Sequence, residues 1–243
     1  MTPPTPSLPL DWKASLRPAP VTLRGRYVTL EPLDPCRHTA ALWQAVRAHN
    51  DLWTWLAQGP YTDGTAMMDA LERWRQAENA LLLAIVPAES SLPGPQQAQP
   101  HLREGAAAGW ASYMRIKPAH GVIEVGNVLF SPALQRSRAA TEAMYLMAGH
   151  VFEHLGYLRY EWKCNAENLP SRRAAERLGF TFEGVFRQHM VVKGRSRDTA
   201  WFSMLDHEWP ARKRAFEAWL DPSNFDTEGR QRKSLAEIAA AQR

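Results

Sequence analysis

The segment from residue 121 to residue 180 constrains the fold more than any other part of the sequence. GVIEVGNVLF (121–130) predicts a strand, and the helical pattern after it runs to about Leu155, with Gly156 as the expected C-cap. YLRYEWKC (157–164) predicts a second strand, and residues 168–180 predict a second helix. Because strands that are joined by a crossover helix pair in parallel, we expect one parallel strand pair here.

The rest of the chain adds elements on both sides of this unit. The first strand, at 25–33, shows alternating side chains, and 80–87 predicts a buried strand. Further strands are expected at 107–118, 181–192 and 197–206, and helices at 36–49, 64–77 and 207–220. The mixture of elements predicts an α/β fold of the α+β type.

The length of 243 residues suits one domain with a substantial core. Residues 1–21 are rich in proline and predict an extended N-terminal arm, followed by a single domain over residues 22–220. Inside that domain, residues 88–106 are polar and interrupted by proline and glycine, so we expect an exposed loop there. Residues 221–243 are predicted to be a C-terminal tail, with a helix-capping signal at Ser234.

Charge and cysteine content exclude several classes of protein. The net charge of +4 favours an anionic ligand without requiring nucleic acid, and the sequence contains no nucleic-acid-binding motif. Two cysteines do not indicate a disulfide framework, so we expect a cytoplasmic location. The longest strongly apolar run, Ala80 to Val86, is too short to cross a bilayer, and no membrane partner is expected.

Two arginines, Arg136 and Arg138, flank Ser137 where a predicted helix begins. The first amide N–H groups of a helix have no acceptor within the helix, and together they carry a partial positive charge. An anion such as a diphosphate satisfies both features. The alternative interpretation is a pair of solvated arginines at a helix start.

Three segments together resemble the GNAT N-acetyltransferases, in particular the RimJ/RimL-like branch, which includes enzymes that acetylate the N-termini of ribosomal proteins. The segments are IEVGNVLFSPALQRSRAATEAM (123–144), NAENLPSRRAAERLGFTFEGVFRQ (165–188) and RDTAWFSML (197–205). The resemblance covers roughly residues 22 to 210. It implies a mixed, mostly antiparallel and splayed central sheet that is flanked by helices, with acetyl-CoA as donor and no metal.

The resemblance also implies which residues bind acetyl-CoA. The loop before the helix would hold the diphosphate, and the strand before that loop would polarise the thioester carbonyl through an N–H group. The predicted contacts are Asn127, Val128, Leu129, Gln135, Arg136, Ser137, Arg138, Ala139, Ala140 and Thr141. Arginines stand where the family has glycines, so either the backbone uses only ordinary torsion angles here or the pocket is altered.

The Asn-x-x-Ser motif supplies further candidates. Asn168 would bind the pantetheine arm or cap its helix, and Ser171 would donate a proton to the leaving thiolate, unless it serves as the helix cap. Arg172 or Arg173 would meet a phosphate of CoA or lie on a solvated helix face.

Glu124 is the candidate general base, acting directly or through a water molecule. It lies between two apolar residues on its strand, and half-burial would raise the pKa of its carboxyl group toward neutral. The alternative is an exposed residue in a salt bridge. Glu142 is expected to be structural, Asp198 to fix the last hairpin, and Arg187 to face the acceptor groove.

The resemblance implies direct attack by a primary amine in a ternary complex. The acceptor would be a protein N-terminal α-amine or a small-molecule amine, and a homodimer is possible. A non-catalytic acyl-CoA-binding module is the alternative. A second pattern, HVFEH (150–154), fits a zinc-peptidase signature with two histidines on one helix face, although such a short pattern often arises by chance.

Overall fold

The computed structural model describes residues 11–88 and 105–242. Its centre is a sheet of eight strands in the order β1-β2-β3-β4-β5-β6-β8-β7. The strands are β1 (Leu23–Arg24), β2 (Val28–Pro32), β3 (Ala80–Pro87), β4 (Gly109–Lys117), β5 (Val122–Phe130), β6 (Arg159–Asn165), β7 (Thr181–Val192) and β8 (Arg195–Leu205). The predicted strands are confirmed.

Six α-helices accompany the sheet in the described ranges. They are α1 (Pro35–Val46), α2 (Gly64–Arg75), α3 (Arg138–Gly149), α4 (Leu169–Arg177), α5 (Trp209–Leu220) and α6 (Leu235–Ala241). A π-helical turn, His150–His154, extends α3, and Gly156 follows with a left-handed φ of 70°, as predicted. None of the described helices has the length and hydropathy that a bilayer crossing requires.

The parallel strand pair is confirmed and is short. Residues Val122 to Val125 of β5 pair with Arg159 to Trp162 of β6, whereas the other neighbouring strands run antiparallel. Beyond Val125, β5 continues for five residues without a partner in β6. The two strands therefore separate at the point where the chain leaves β5 for α3.

The two faces of the sheet are covered by different helices. Ile123 and Val125 face a large core that also contains residues of α3 and α5. A second core, with Leu42 of α1 and Leu71 of α2, covers the opposite face at β3 and β4. Because side chains alternate along a strand, Glu124 lies on the face opposite α3.

Both ends of the described chain pack against the domain. Trp12 donates its indole N–H to the carbonyl of Gly156 at 3.1 Å, and the amide of Leu16 donates to Leu155 at 2.8 Å. At the other end, a capping box of Ser234 and Glu237 begins α6, whose Leu235 is buried in the core. Most of the loop predicted at 88–106 lies outside the described residues.

Candidate active site

A cleft of about 270 Å³ opens where β5 and β6 separate. Its walls come from both strands, from α4, from the end of the β7–β8 hairpin and from the connection between α1 and α2. Its lining includes Gln58, Arg115, Glu124, Asn127, Val128, Trp162, Lys163, Cys164, Asn168, Ser171 and Arg197. Lys193, in the hairpin turn, donates to the carbonyl of Trp53 at 2.8 Å and joins two of these walls.

The loop segment, which we define as residues 126–141, leads from β5 into α3. Ser137 is the N-cap of α3: its hydroxyl oxygen accepts from the amide of Ala140 at 3.0 Å and its hydroxyl donates to Leu134. The amides of Arg138 and Ala139 have no acceptor among the described residues. Two N–H groups at the positive end of α3 are therefore available to an anion.

Arg136 adopts a left-handed conformation, with φ of 58°. The alternative in which this loop uses only ordinary torsion angles is therefore wrong. A non-glycine residue in this region has Cβ close to the following carbonyl oxygen, at a cost of roughly 1–2 kcal/mol. The loop therefore keeps a turn that a glycine would adopt without this cost. The side chain of Arg136 is exposed.

Arg138 differs from Arg136 although only one residue separates them. Its guanidinium group lies 4.3 Å from the centre of the Phe225 ring and 5.2 Å from that of Tyr27. These cation–π contacts hold the side chain against the flank of α3. The C-terminal segment therefore supports the first turn of this helix.

A β-bulge interrupts β5 at Asn127 and Val128. Leu129 pairs with Trp110, but the next regular pair is Gly126 with Ser112, so β5 has one extra residue. Asn127 has a φ of 48°, and its amide oxygen accepts from Gln58 at 2.9 Å. At the bulge, the backbone of Asn127 and Val128 leaves the regular hydrogen-bond pairing of β5 with β4 and β6. Main-chain groups at the cleft are therefore free of regular strand partners.

Ser171 does not cap α4, so that alternative is wrong. The N-cap is Asn168, whose side-chain oxygen accepts from the amide of Ser171 at 3.1 Å. The hydroxyl oxygen of Ser171 instead accepts from the indole N–H of Trp162 at 3.0 Å. This bond uses the oxygen only as an acceptor, so the hydroxyl hydrogen remains available for donation, and the thiol of Cys164 is one neighbour within its reach.

Cys164 also lines the cleft. Burial raises the pKa of its thiol, and the nearby Ser171, Arg197 and Arg172 oppose this effect. No disulfide involves this residue.

Glu124 is buried, with 3% of its surface exposed, rather than half-buried as predicted. One oxygen accepts from Arg115 at 2.6 Å, and the ammonium group of Lys163 lies 2.9 Å from the other, outside hydrogen-bonding geometry. A bulge in β4 and a φ of 46° at Arg115 turn this side chain toward Glu124. A base at this position must therefore act from oxygens that two cations already contact.

Glu124 belongs to a chain of alternating charges. Lys163 also contacts Glu161 at 2.6 Å, Glu161 contacts Arg159 at 2.8 Å, and Arg159 binds Glu183. We define the charged cluster as Arg115, Glu124, Lys163, Glu161, Arg159 and Glu183. Its three positive and three negative charges balance. Strand register explains the assembly, because Glu124 lies beside Glu161 and Lys163 lies beside Trp201, whose ring centre is 3.8 Å from the ammonium nitrogen.

The remaining predicted residues have other surroundings. Glu142 is structural, as predicted, since its carboxylate accepts from the amides of Arg26 and Tyr27 at 2.9 and 2.6 Å. Asp198 fixes the last hairpin by accepting from the amide of Gln188 at 2.7 Å.

The structure also places three further residues of the predicted acetyl-CoA set, and Arg187, which was predicted to face the acceptor groove. Gln135 is exposed, and its side chain donates to the carbonyl of Phe130. Thr141 is buried, and its hydroxyl accepts from Arg177 at 3.3 Å. Arg173 is exposed on α4, and Arg187 lines an open depression beside the cleft.

The zinc alternative is not supported by the helix turn that carries its motif. Glu153 binds Lys213 at 2.8 Å and accepts from Trp209, and His150 is half-buried beside His154. Burial and His154 lower the pKa of His150. The described residues contain no group of three or more histidine, cysteine or acidic side chains that could hold a metal ion.

Sequence reasoning missed Lys163, Arg115 and Arg197 as cleft residues. Glu161 and Lys163 occupy alternate positions of one strand, and this spacing could have indicated a charged face. No comparable signal marks Arg115, because a bulge decides where its side chain goes.

Comparisons with known proteins agree with this architecture. Residues 28–181 match the family described as Acetyltransferase (GNAT) domain. The crystal structure of a GCN5-related N-acetyltransferase from Brucella melitensis is 45% identical, covers 95% of this chain and 99% of its own, and has a TM-score of 0.86.

Two Bacillus subtilis proteins are also similar. The protein named "Putative ribosomal N-acetyltransferase YdaF" is 26% identical over 161 residues, which are 66% of this chain and 80% of that protein. The "Uncharacterized N-acetyltransferase YnaD" is 29% identical over 86 residues, so the match spans 35% of this chain and half the length of that relative.

Proposed function

The chain belongs to the GNAT acetyltransferase family, and from this premise we propose that it transfers the acetyl group of acetyl-CoA to a primary amine in a ternary complex. The observation that carries the proposal is the opening between β5 and β6, with two unpaired amides at the start of α3 on one side and the cleft on the other. The donor supplies an acetyl group activated as a thioester.

The loop segment fits the diphosphate of the donor. The amides of Arg138 and Ala139 offer two donors at a helix N-terminus, where the helix dipole also favours negative charge. The exposed guanidinium of Arg136 adds a charge-assisted contact. Ser137, Ala140 and Thr141 then act by shaping this turn of α3 rather than by contact through their side chains.

The bulge at Asn127 and Val128 supports the chemistry at the carbonyl. A main-chain N–H that lies outside the regular ladders polarises the thioester oxygen and stabilises the negative charge that develops there. Leu129 is buried and paired with Trp110, so it fixes the bulge in place.

Ser171 is the proposed acid. The amine nitrogen bonds to the carbonyl carbon, the carbon–sulfur bond breaks, and the leaving sulfur takes the hydroxyl proton of Ser171, which the proton released by the amine replaces through water. Trp162 holds the serine oxygen in position while this proton is given up. The amine loses its proton to a water molecule or to Glu124, whose oxygens Arg115 and Lys163 keep fixed.

The test combines donor binding with turnover. Calorimetric titration with acetyl-CoA is expected to give micromolar affinity, and incubation with a panel of amines is expected to release free CoA thiol in proportion to N-acetylated product. The panel includes peptides with free N-termini, because the name of YdaF suggests a ribosomal acceptor. Donor binding without turnover on any amine would favour a non-catalytic acyl-CoA-binding module.

A further inference from the structure

The cleft contains a positive charge that forms no ion pair with the residues that the structure describes. The charged cluster is neutral, because each of its cations contacts a carboxylate of the cluster. Arg197 lines the same cleft and forms no ion pair or hydrogen bond through its side chain within the described ranges. Arg197 therefore adds one positive charge to a cleft whose charged cluster is neutral.

The environment of Arg197 makes this unpaired charge unfavourable. Its Nε atom is buried and lacks an acceptor among residues 11–88 and 105–242. Burial is the largest cause that lowers the pKa of the guanidinium; Arg115 adds to this effect, whereas Cys164 and Glu124 oppose it without forming an ion pair with Arg197. Leaving a buried donor without an acceptor is unfavourable, and more so when the group is charged. A bound anion would remove that cost.

A second unsatisfied donor lies in the same cleft. The amide nitrogen of Asn127 is buried and has no acceptor in the described ranges, since its oxygen is the atom that Gln58 contacts. Two donors without acceptors on residues of one small cavity indicate a ligand that brings oxygen atoms. The volume of about 270 Å³ suits a small molecule rather than several residues of a peptide.

We propose that the acceptor is a small amine that carries a carboxylate, such as a free amino acid, and that Arg197 binds this carboxylate. This inference rests on the proposed acetyl transfer and specifies its substrate class. One unpaired cation calls for one negative charge, which favours a carboxylate over a phosphate. The amino group of such an acceptor then lies beside Glu124, and the carboxylate distinguishes it from a neutral amine.

The experiment compares each amino acid with its amide, which has nearly the same shape and no charge. Release of CoA thiol is measured for wild type, Arg197→Gln and Arg195→Gln. Arg195 is exposed on the same strand and is the matched control. We expect wild type to prefer at least one amino acid over its amide. Arg197→Gln should lower kcat/KM for that amino acid by about 10- to 100-fold, mainly through KM, and change the amide little.

The outcomes separate this inference from the proposed function. If amides or peptides are better acceptors, or if the preference survives in Arg197→Gln, the inference is overturned while acetyl transfer stands. Phosphoethanolamine is also offered as an acceptor. If wild type prefers it and Arg197→Gln loses this preference, Arg197 binds a phosphate and the carboxylate proposal is overturned. Unchanged calorimetric binding of acetyl-CoA to Arg197→Gln verifies that this variant is folded.

Failure of turnover on every amine would instead refute the proposed function. The carboxylate site is then tested directly by thermal shift with N-acetyl amino acids and their amides. Stabilisation by the acids that is absent with the amides, and absent in Arg197→Gln, would support the site. Equal responses would overturn it.

Discussion

The loop segment and the charged cluster lie at the same cleft and are built in different ways. The loop segment is continuous in sequence and offers backbone amides that one helix start exposes. The charged cluster takes side chains from β4, β5, β6 and β7, and three of its five ion pairs join different strands. A change of side chain should therefore be tolerated in the first region far better than in the second.

The largest effect is expected from Lys163→Met. This variant leaves the buried carboxylates of Glu124 and Glu161 without their shared cation, and such a loss costs about 3–5 kcal/mol. The free energy of unfolding in urea measures it. Lys213→Met is the control, because it removes a half-exposed partner of Glu153 and should cost less than about 1 kcal/mol. Equal losses of unfolding free energy in the two variants would show that the buried and the exposed ion pairs contribute equally to stability.

Ser171→Ala tests whether catalysis at the cleft can be lost while donor binding at the loop segment is kept. We expect kcat to fall on the order of 10²-fold, because the proposed acid is lost. The dissociation constant of acetyl-CoA, measured by calorimetry, should not change, since the unpaired amides of α3 remain. Ser223→Ala, which removes an exposed hydroxyl bound to Asp221, is the control. A Ser171→Ala enzyme with wild-type kcat would exclude Ser171 as the acid.

Arg136→Gly and Arg136→Ala separate the backbone of the loop segment from its side chain. Both variants lack the guanidinium and should bind acetyl-CoA equally, about 5- to 10-fold more weakly than wild type. Glycine tolerates the left-handed conformation, so Arg136→Gly should be more stable than Arg136→Ala by about 1 kcal/mol in thermal unfolding. Wild-type affinity in both variants would mean that the amides alone hold the donor.

Phe225→Leu should have the smallest effect. It removes one ring from Arg138, which is worth about 0.5–1 kcal/mol at a partly exposed site. A double-mutant cycle with Arg138→Gln, followed by urea unfolding, measures the coupling. Additive losses would show that the two side chains do not support each other.

The contrast between a continuous segment and a cluster assembled from several strands also explains which features could be predicted from the sequence. The strands, the helices, the parallel pair and the cap signal at Ser234 follow from local patterns, and the family motifs identify the loop segment. The left-handed turn at Arg136 could not be predicted, because nothing local distinguishes an arginine that accepts this strain from one that avoids it.

The charged cluster was not predicted for another reason. Glu124 was expected to be half-buried, but strand register places Glu161 beside it and Lys163 near both. Arg115 joins them through a bulge in β4. Register and bulges are properties of the assembled sheet, so single-strand patterns contain little information about them.

The sandwich of Arg138 between Tyr27 and Phe225 has a consequence for synthesis of the chain. A ribosome makes Tyr27 early and Arg138 later, but Phe225 emerges only after every strand of the sheet has been translated. The first turn of α3 thus gains this support only after the whole sheet has been made. A nascent chain that has been made only as far as α5 contains the whole sheet and still lacks one of the two rings that hold Arg138.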